Sequence, residues 1–232
     1  MTRDLAADHW HARVRDAEAV LFDFDGTLAP NLNLPDLRGR VAALTRARGV
    51  PEAAFAGHYI VEILDAGAAW LDDAAAATAL KRDGQRLIRD YEIEAARSTE
   101  PFDDARRALA ALRAHGKSLG VITRNCRAAV LAAFPDLEDC CDGVLARDDV
   151  VHLKPDVRHL IQALEHLRAE PSRTLMVGDG QLDMRLGRAR GLYCVGVLTG
   201  SSDESGLREA GADVVLPRAG DLALALPVSV GD

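Results

Sequence analysis

No run of roughly 18 uninterrupted apolar residues, the length of a membrane-spanning helix, occurs in this chain of 232 residues. Residues 1–18 lack an apolar core and carry Asp4, Asp8, His9, His11 and Asp16, so they do not resemble a secretory signal. A soluble, cytoplasmic protein without membrane contact is expected. Cysteine is sparse: Cys126, Cys140, Cys141 and Cys194 show no C-x-x-C spacing, and the adjacent pair is badly placed to bond to itself. Reduced thiols follow, as is usual in the cytoplasm. Clustered positive charge is missing too. The 28 Lys and Arg are scattered among 36 Asp and Glu, for a formal charge of -8 and a pI of about 5.4. Nucleic acid is therefore not the expected partner, and a small molecule is.

What is present suffices for a folded core. With 48% hydrophobic residues, the chain can bury one full domain plus a modest insertion. Short apolar runs bounded by turn residues recur at 19–24, 118–123, 143–146, 174–177, 193–197 and 214–216. Such runs predict buried parallel strands. Helical patterns lie between most of them, at 103–114 and at 156–169, where Val157, Leu160, Ile161, Leu164 and Leu167 share a face. Alternating strand and helix predicts an α/β fold, a doubly wound, Rossmann-like parallel sheet.

The exception spans 30–100, which contains no strand pattern and follows the first strand directly. Leu37, Val41 and Leu44 repeat at helical spacing, Gly49 and Pro51 mark a stop and restart, and Phe55, Tyr59, Ile63, Leu87 and Tyr91 supply further apolar stripes. This predicts an all-helical cap with its own small core, inserted between the core segments 1–29 and 101–232. An insertion at the carboxyl end of a strand lies over the region where open α/β sheets bind ligands, so it reads as a lid.

Four segments carry the chemistry. In Asp23-Phe24-Asp25-Gly26-Thr27 two acids stand at the mouth of the first strand. The side-chain period of two predicts that both project the same way, while Gly26 ends the strand and lets backbone N–H groups approach a ligand. Adjacent carboxylates repel unless a cation or substrate uses them. Thr123 closes the second strand ahead of Arg124 and Asn125, where a hydroxyl and free N–H groups suit an anion, or equally an N-cap. Lys154 stands immediately before Pro155, which is expected to open a helix. Finally Gly178-Asp179-Gly180-Gln181-Leu182-Asp183 ends another strand in glycine and acid, and both acids can face one cation.

In this order, at strand ends along nearly the whole chain, these segments resemble the haloacid dehalogenase-like hydrolase superfamily. Its signatures are D-x-D-x-T, a Thr or Ser after the second core strand, a downstream Lys, and G-D-x-x-x-D. The helical insertion resembles the cap of the phosphoglycolate phosphatase-like branch. One departure is Arg124, which stands between Thr123 and Asn125 where many such phosphatases have Asn directly after Thr.

The resemblance implies a magnesium-dependent phosphatase of a small phosphorylated metabolite, working as a monomer or dimer. Asp23 would attack phosphorus and form an aspartyl-phosphate, and Asp25 would act as acid and then base. Asp23, the Asp25 carbonyl and Asp179 would ligate magnesium, with Asp183 supporting them and orienting Lys154. Thr123 and Lys154, with Gly26, Arg124 and Asn125, would hold the transferring phosphoryl oxygens. In the implied strand order the first strand neighbours the one ending at Val177.

Asp25 separates this chain from dehalogenases, which lack the second acid, and from phosphonate hydrolases, which replace it and use a cap lysine. The only lysine in the insertion is Lys81. A phosphomutase keeps all four signatures and stands as the alternative, with a non-catalytic binding module behind it. His159 and His166 have near-helical spacing but no matching acid cluster, so no zinc site is read from them.

Overall fold

A computed structural model describes residues 5–227, with side chains from residue 9 onward. Helix α1 (Leu5–Asp16) leads into strand β1 (Ala19–Phe22). After the helices α2 (Leu34–Ala47), α3 (Ile60–Trp70) and α4 (Ala74–Ala96) come α5 (Ala105–Ala114) and β2 (Ser118–Ile122). Two short helices, α6 (Arg127–Ala133) and α7 (Leu137–Cys140), precede β3 (Gly143–Leu145). The chain continues through α8 (Val157–Leu167), β4 (Thr174–Gly178), α9 (Gln181–Ala189), β5 (Tyr193–Val197), α10 (Glu204–Glu209) and β6 (Val214–Leu216), and ends in a 3-10 segment, Ala219–Ala225.

All six strands lie in one parallel sheet in the order β3-β2-β1-β4-β5-β6. Every expected strand is there, because a continuous apolar run three to six residues long is stable only when both of its faces are covered. The sheet is doubly wound. Leu21, Ile122 and Met176 bury one face with Leu160 and Leu164 of α8 and Met184 of α9, while the 3-10 segment packs against both α5 and α1. Each such side chain contributes about 1.5–3 kcal/mol through burial. Winding outward in both directions from β1 and β4 leaves a crevice at their carboxyl ends, where the connections diverge.

Two details differ from expectation. Strand β1 stops at Phe22, so Asp23 and Asp25 lie beyond it, although the Asp23 N–H still donates to the Val177 carbonyl. The second is Pro155, which stands ahead of α8 rather than in its first turn. The helix starts at Val157, with Asp156 as N-cap accepting from the Arg158 N–H. An Asp side chain satisfies a free N–H of the first turn, which proline cannot do, and so it sets the boundary.

Backbone contacts divide the chain into two compact units, one running up to Asn31 and again from Ser98, the other Leu32–Arg97. The smaller unit is all-helical and has its own core of Leu37, Val41, Phe55, Ile63, Leu64, Leu80 and Ile88. Gly49, at φ +85°, ends α2, and Pro51 restarts the chain as a single 3-10 turn, Glu52–Ala54. Tyr59, read as part of an apolar stripe, is instead exposed. Among the described residues no helix is long and apolar enough to cross a membrane.

Candidate active site

Strand ends deliver the four segments to one place, since in a parallel sheet every carboxyl end points to the same edge. β1 and β4 are neighbours in register, Phe22 beside Val177, so the loops that follow them run side by side. Asp23 and Asp179 therefore meet. Together with Asp183 they form a group whose ligand oxygens all lie within 4.8 Å of one another.

Lys154 enters the same group from the loop before α8. Its ammonium donates to Asp23 Oδ1 at 2.7 Å and to Asp183 Oδ1 at 2.9 Å, and the residue is only 2% exposed. Burial depresses the lysine, but Asp183 and Asp23 outweigh it and hold its pKa above the ordinary value. Burial, then the charge of Asp183, raises Asp23 well above the usual carboxylate range, against the pull of Lys154. Asp183 is raised mainly by burial.

Three clustered carboxylates thus stand with one ammonium, which pairs with two of them, leaving a formal surplus of negative charge. Hard oxygen donors with uncompensated charge are the donor set of a hard divalent cation, and Asp23, Asp179 and Asp183 could hold one.

Asp25 turns the other way, toward β2. Its two carboxylate oxygens accept from Asn125 Nδ2 at 3.2 and 3.3 Å, and Thr123 Oγ1 stands 3.5 Å away. The two acids of the first segment thus look to different partners, because beyond the strand the period of two no longer governs them. Thr123 Oγ1 also accepts from the Asn125 N–H at 3.0 Å. The N-cap of α6 is Cys126, so Thr123 does not cap that helix. Gly26, at φ +78°, makes the turn that only glycine adopts without strain, and a Cβ there would sit 2.6 Å from the Asp179 carboxylate.

Arg124 reaches the lysine loop instead of standing apart: its guanidinium donates to the Lys154 carbonyl. The Lys154 N–H donates to His159 Nδ1 at 3.2 Å, and His159 Nε2 faces the Leu145 carbonyl at 3.1 Å. That carbonyl accepts only, so Nε2 carries the proton and Nδ1 is the acceptor. Burial, then the Lys154 charge, lowers the His159 pKa to about 4. Read from sequence only as a histidine without a metal cluster, His159 is one of two clamps on the lysine backbone.

Thr27, the last residue of the first signature, has no role read from the sequence, and Asn31, Thr199 and Ser201 belong to no motif. Thr27 Oγ1 accepts from the Asp179 N–H at 3.1 Å. Asn31 Nδ2 donates to Asp179 Oδ2 at 3.3 Å. The loop after β5 supplies Thr199, whose hydroxyl donates to the Gly26 carbonyl at 2.6 Å, and Ser201 on Asp179. Its sequence, Thr199-Gly200-Ser201 just past a buried strand, has the hydroxyl-bearing character of Thr123 past β2. That likeness is the signal that could have found it.

Comparison with known proteins bears on this geometry directly. The family profile of the haloacid dehalogenase-like hydrolases matches residues 17–191, from the residues before β1 to those after α9. The chain belongs to that family. Among its relatives, the phosphoglycolate phosphatase of Nitrosospira multiformis is 28% identical over 209 residues, covering 86% of this chain and 91% of that protein. The N-acetylmuramic acid 6-phosphate phosphatase of Pseudomonas aeruginosa is 30% identical over 212 residues, covering 86% and 90%. A solved hydrolase from Pseudomonas syringae superposes with a TM-score of 0.67 at 21% identity, over 88% of this chain and 95% of that one. A β-phosphoglucomutase from Clostridium difficile superposes with a TM-score of 0.65 at 15% identity, over 89% and 93%. As a haloacid dehalogenase-like hydrolase, the chain shares its fold with both solved structures.

Proposed function

We propose that this hydrolase is a magnesium-dependent phosphatase that cleaves a small phosphomonoester through an aspartyl-phosphate. One observation carries the reading: Asp23 lies within hydrogen-bond reach of the buried Lys154 ammonium and within one acid cluster with Asp179 and Asp183. Its class is that of the phosphoric monoester hydrolases, in keeping with the phosphatases named among its relatives.

Asp23 supplies the nucleophilic oxygen. Its carboxylate forms a bond to phosphorus as the ester P–O bond breaks, and the departing alkoxide takes a proton from Asp25. Asp25, held by Asn125 and near Thr123, then accepts a proton from the water that attacks phosphorus, and the aspartyl P–O bond breaks to release inorganic phosphate. Lys154 holds Asp23 in place and offsets charge on the phosphoryl oxygens. Magnesium, bound by Asp23, the Asp25 carbonyl and Asp179, with Asp183 alongside, would neutralise charge between carboxylate and phosphate dianion. The Gly26 N–H donates to the Ala29 carbonyl and the Asn125 N–H to Thr123 Oγ1, so neither is offered to the phosphoryl oxygens.

The test is a magnesium-supplemented panel of phosphorylated metabolites, including phosphoglycolate, N-acetylmuramic acid 6-phosphate and a hexose 1-phosphate, with product identification. Release of inorganic phosphate, stopped by chelator and restored by magnesium, is the expected result. Full turnover in excess chelator would overturn the metal role. Conversion of the hexose 1-phosphate to a 6-phosphate without net phosphate release would make the enzyme a mutase.

A further inference from the structure

The loop that follows β5 belongs to no signature, yet it touches the site at three points. Thr199 donates its hydroxyl to the Gly26 carbonyl at 2.6 Å. Ser201 donates twice to one oxygen of Asp179, from its N–H at 2.6 Å and from its hydroxyl at 2.8 Å. Between them Gly200 lies so close that a Cβ would stand 2.0 Å from that same Asp179 Oδ2. From the other side Asn31 Nδ2 donates to it at 3.3 Å. Three donors therefore converge on Oδ2, while the Asp179 N–H is taken by Thr27. So loaded on Oδ2, Asp179 lies within one acid cluster with Asp23 and Asp183.

We propose that Ser201 is a positioning residue for the metal centre: with Asn31 it fixes Oδ2 of Asp179 so that Oδ1 is presented to the divalent cation as a single, oriented ligand atom. This rests on the reading of Asp179 as a metal ligand. Partners that fix the unused atom of a ligand raise its affinity by pre-organisation, and their loss typically weakens metal binding about 10–100-fold. Ser201 is exposed, and its N–H stays after truncation of the side chain, so Ser201→Ala alone belongs at the low end of that range. Removing Asn31 as well takes both side-chain donors and leaves only the backbone one.

The experiment measures manganese binding to the full chain by the loss of the free-ion paramagnetic resonance signal, without substrate, in the wild type, Ser201→Ala, Ser201→Thr, Asn31→Ala/Ser201→Ala and Asp179→Asn. The expected order is an affinity about tenfold weaker for Ser201→Ala and weaker again for the double variant. Ser201→Thr, which restores the hydroxyl, should return near the wild type, and the melting temperatures of the metal-free serine variants should stay within about 2 °C of one another, since the substitution is at the surface. Wild-type affinity in Ser201→Ala and in the double variant, alongside loss of binding in Asp179→Asn, would overturn the positioning role alone. Wild-type affinity in Asp179→Asn would overturn the metal reading of that acid and this inference with it.

Discussion

Lys154 pairs with Asp23 and Asp183 at 2% exposure, so among the described residues its ammonium is the counter-charge that hydrogen-bonds these carboxylates. A buried charge deprived of its partner is among the most costly defects a fold can carry. Lys154→Met, similar in length but uncharged, should therefore lower stability by about 3–5 kcal/mol, read by urea denaturation; a loss under about 1 kcal/mol would mean that the acids simply take up protons at no expense. Asp23→Asn acts differently. It keeps the side-chain volume and lets Asp183 retain the ammonium, so fold and melting temperature should hold while turnover falls by about 10³-fold or more. Substantial residual phosphatase activity would reject Asp23 as the nucleophile.

Elements fix where those residues can go. Because β1 ends at Phe22, the two acids that follow it are not bound to one direction, and Asp25 is free to meet Asn125 beyond β2 while Asp23 meets the residues beyond β4. Arg124, which interrupts the Thr-Asn pair, does not displace Asn125 from Asp25; its guanidinium goes to the Lys154 carbonyl. The start of α8 supplies the second clamp through His159. His159 is fully buried among Lys154, Arg124 and the Leu145 carbonyl, and its pKa is depressed to about 4. The unfolded chain takes up that proton first as pH falls, near the free value of about 6.5. Stability is thus whole above that value and is lost as pH drops toward 4, by about 3 kcal/mol over the window. His159→Asn, which keeps an acceptor for the Lys154 N–H, should flatten the stability profile between those limits. His159→Leu leaves that N–H unpaired and should cost about 1–3 kcal/mol at neutral pH as well. An unchanged acid limb in His159→Asn would assign the loss to other groups.

At the scale of the whole molecule, a cation bound by the folded site and not by the unfolded chain must raise stability by mass action. Magnesium at about 100 times its dissociation constant is worth about 2.7 kcal/mol, or about 5–10 °C in melting temperature for a chain of this size. Asp179→Asn should abolish the shift in a thermal scan, and a shift that persists there would place the ion elsewhere. The fold itself was legible in the residues, since apolar runs such as Thr174–Val177 and amphipathic stripes such as Leu160 and Leu164 carry their periods locally. So were the four chemical segments, because clustered acids and a Lys-Pro step are conspicuous in a chain of otherwise ordinary composition. What could not be read were partners that local periodicity does not encode: His159 beneath Lys154, Asn31 and Ser201 on Asp179, Thr27 on the same residue's N–H. Sequence by itself determined six buried strands, an all-helical insertion and which residue types stand at strand ends, for those depend on neighbours a few positions away. Tertiary structure alone decided that Asp23 and Asp25 part company and that a serine 22 positions beyond Asp179 turns back to hold it, because hydrogen bonds form between atoms near in space, and the sheet order sets that nearness.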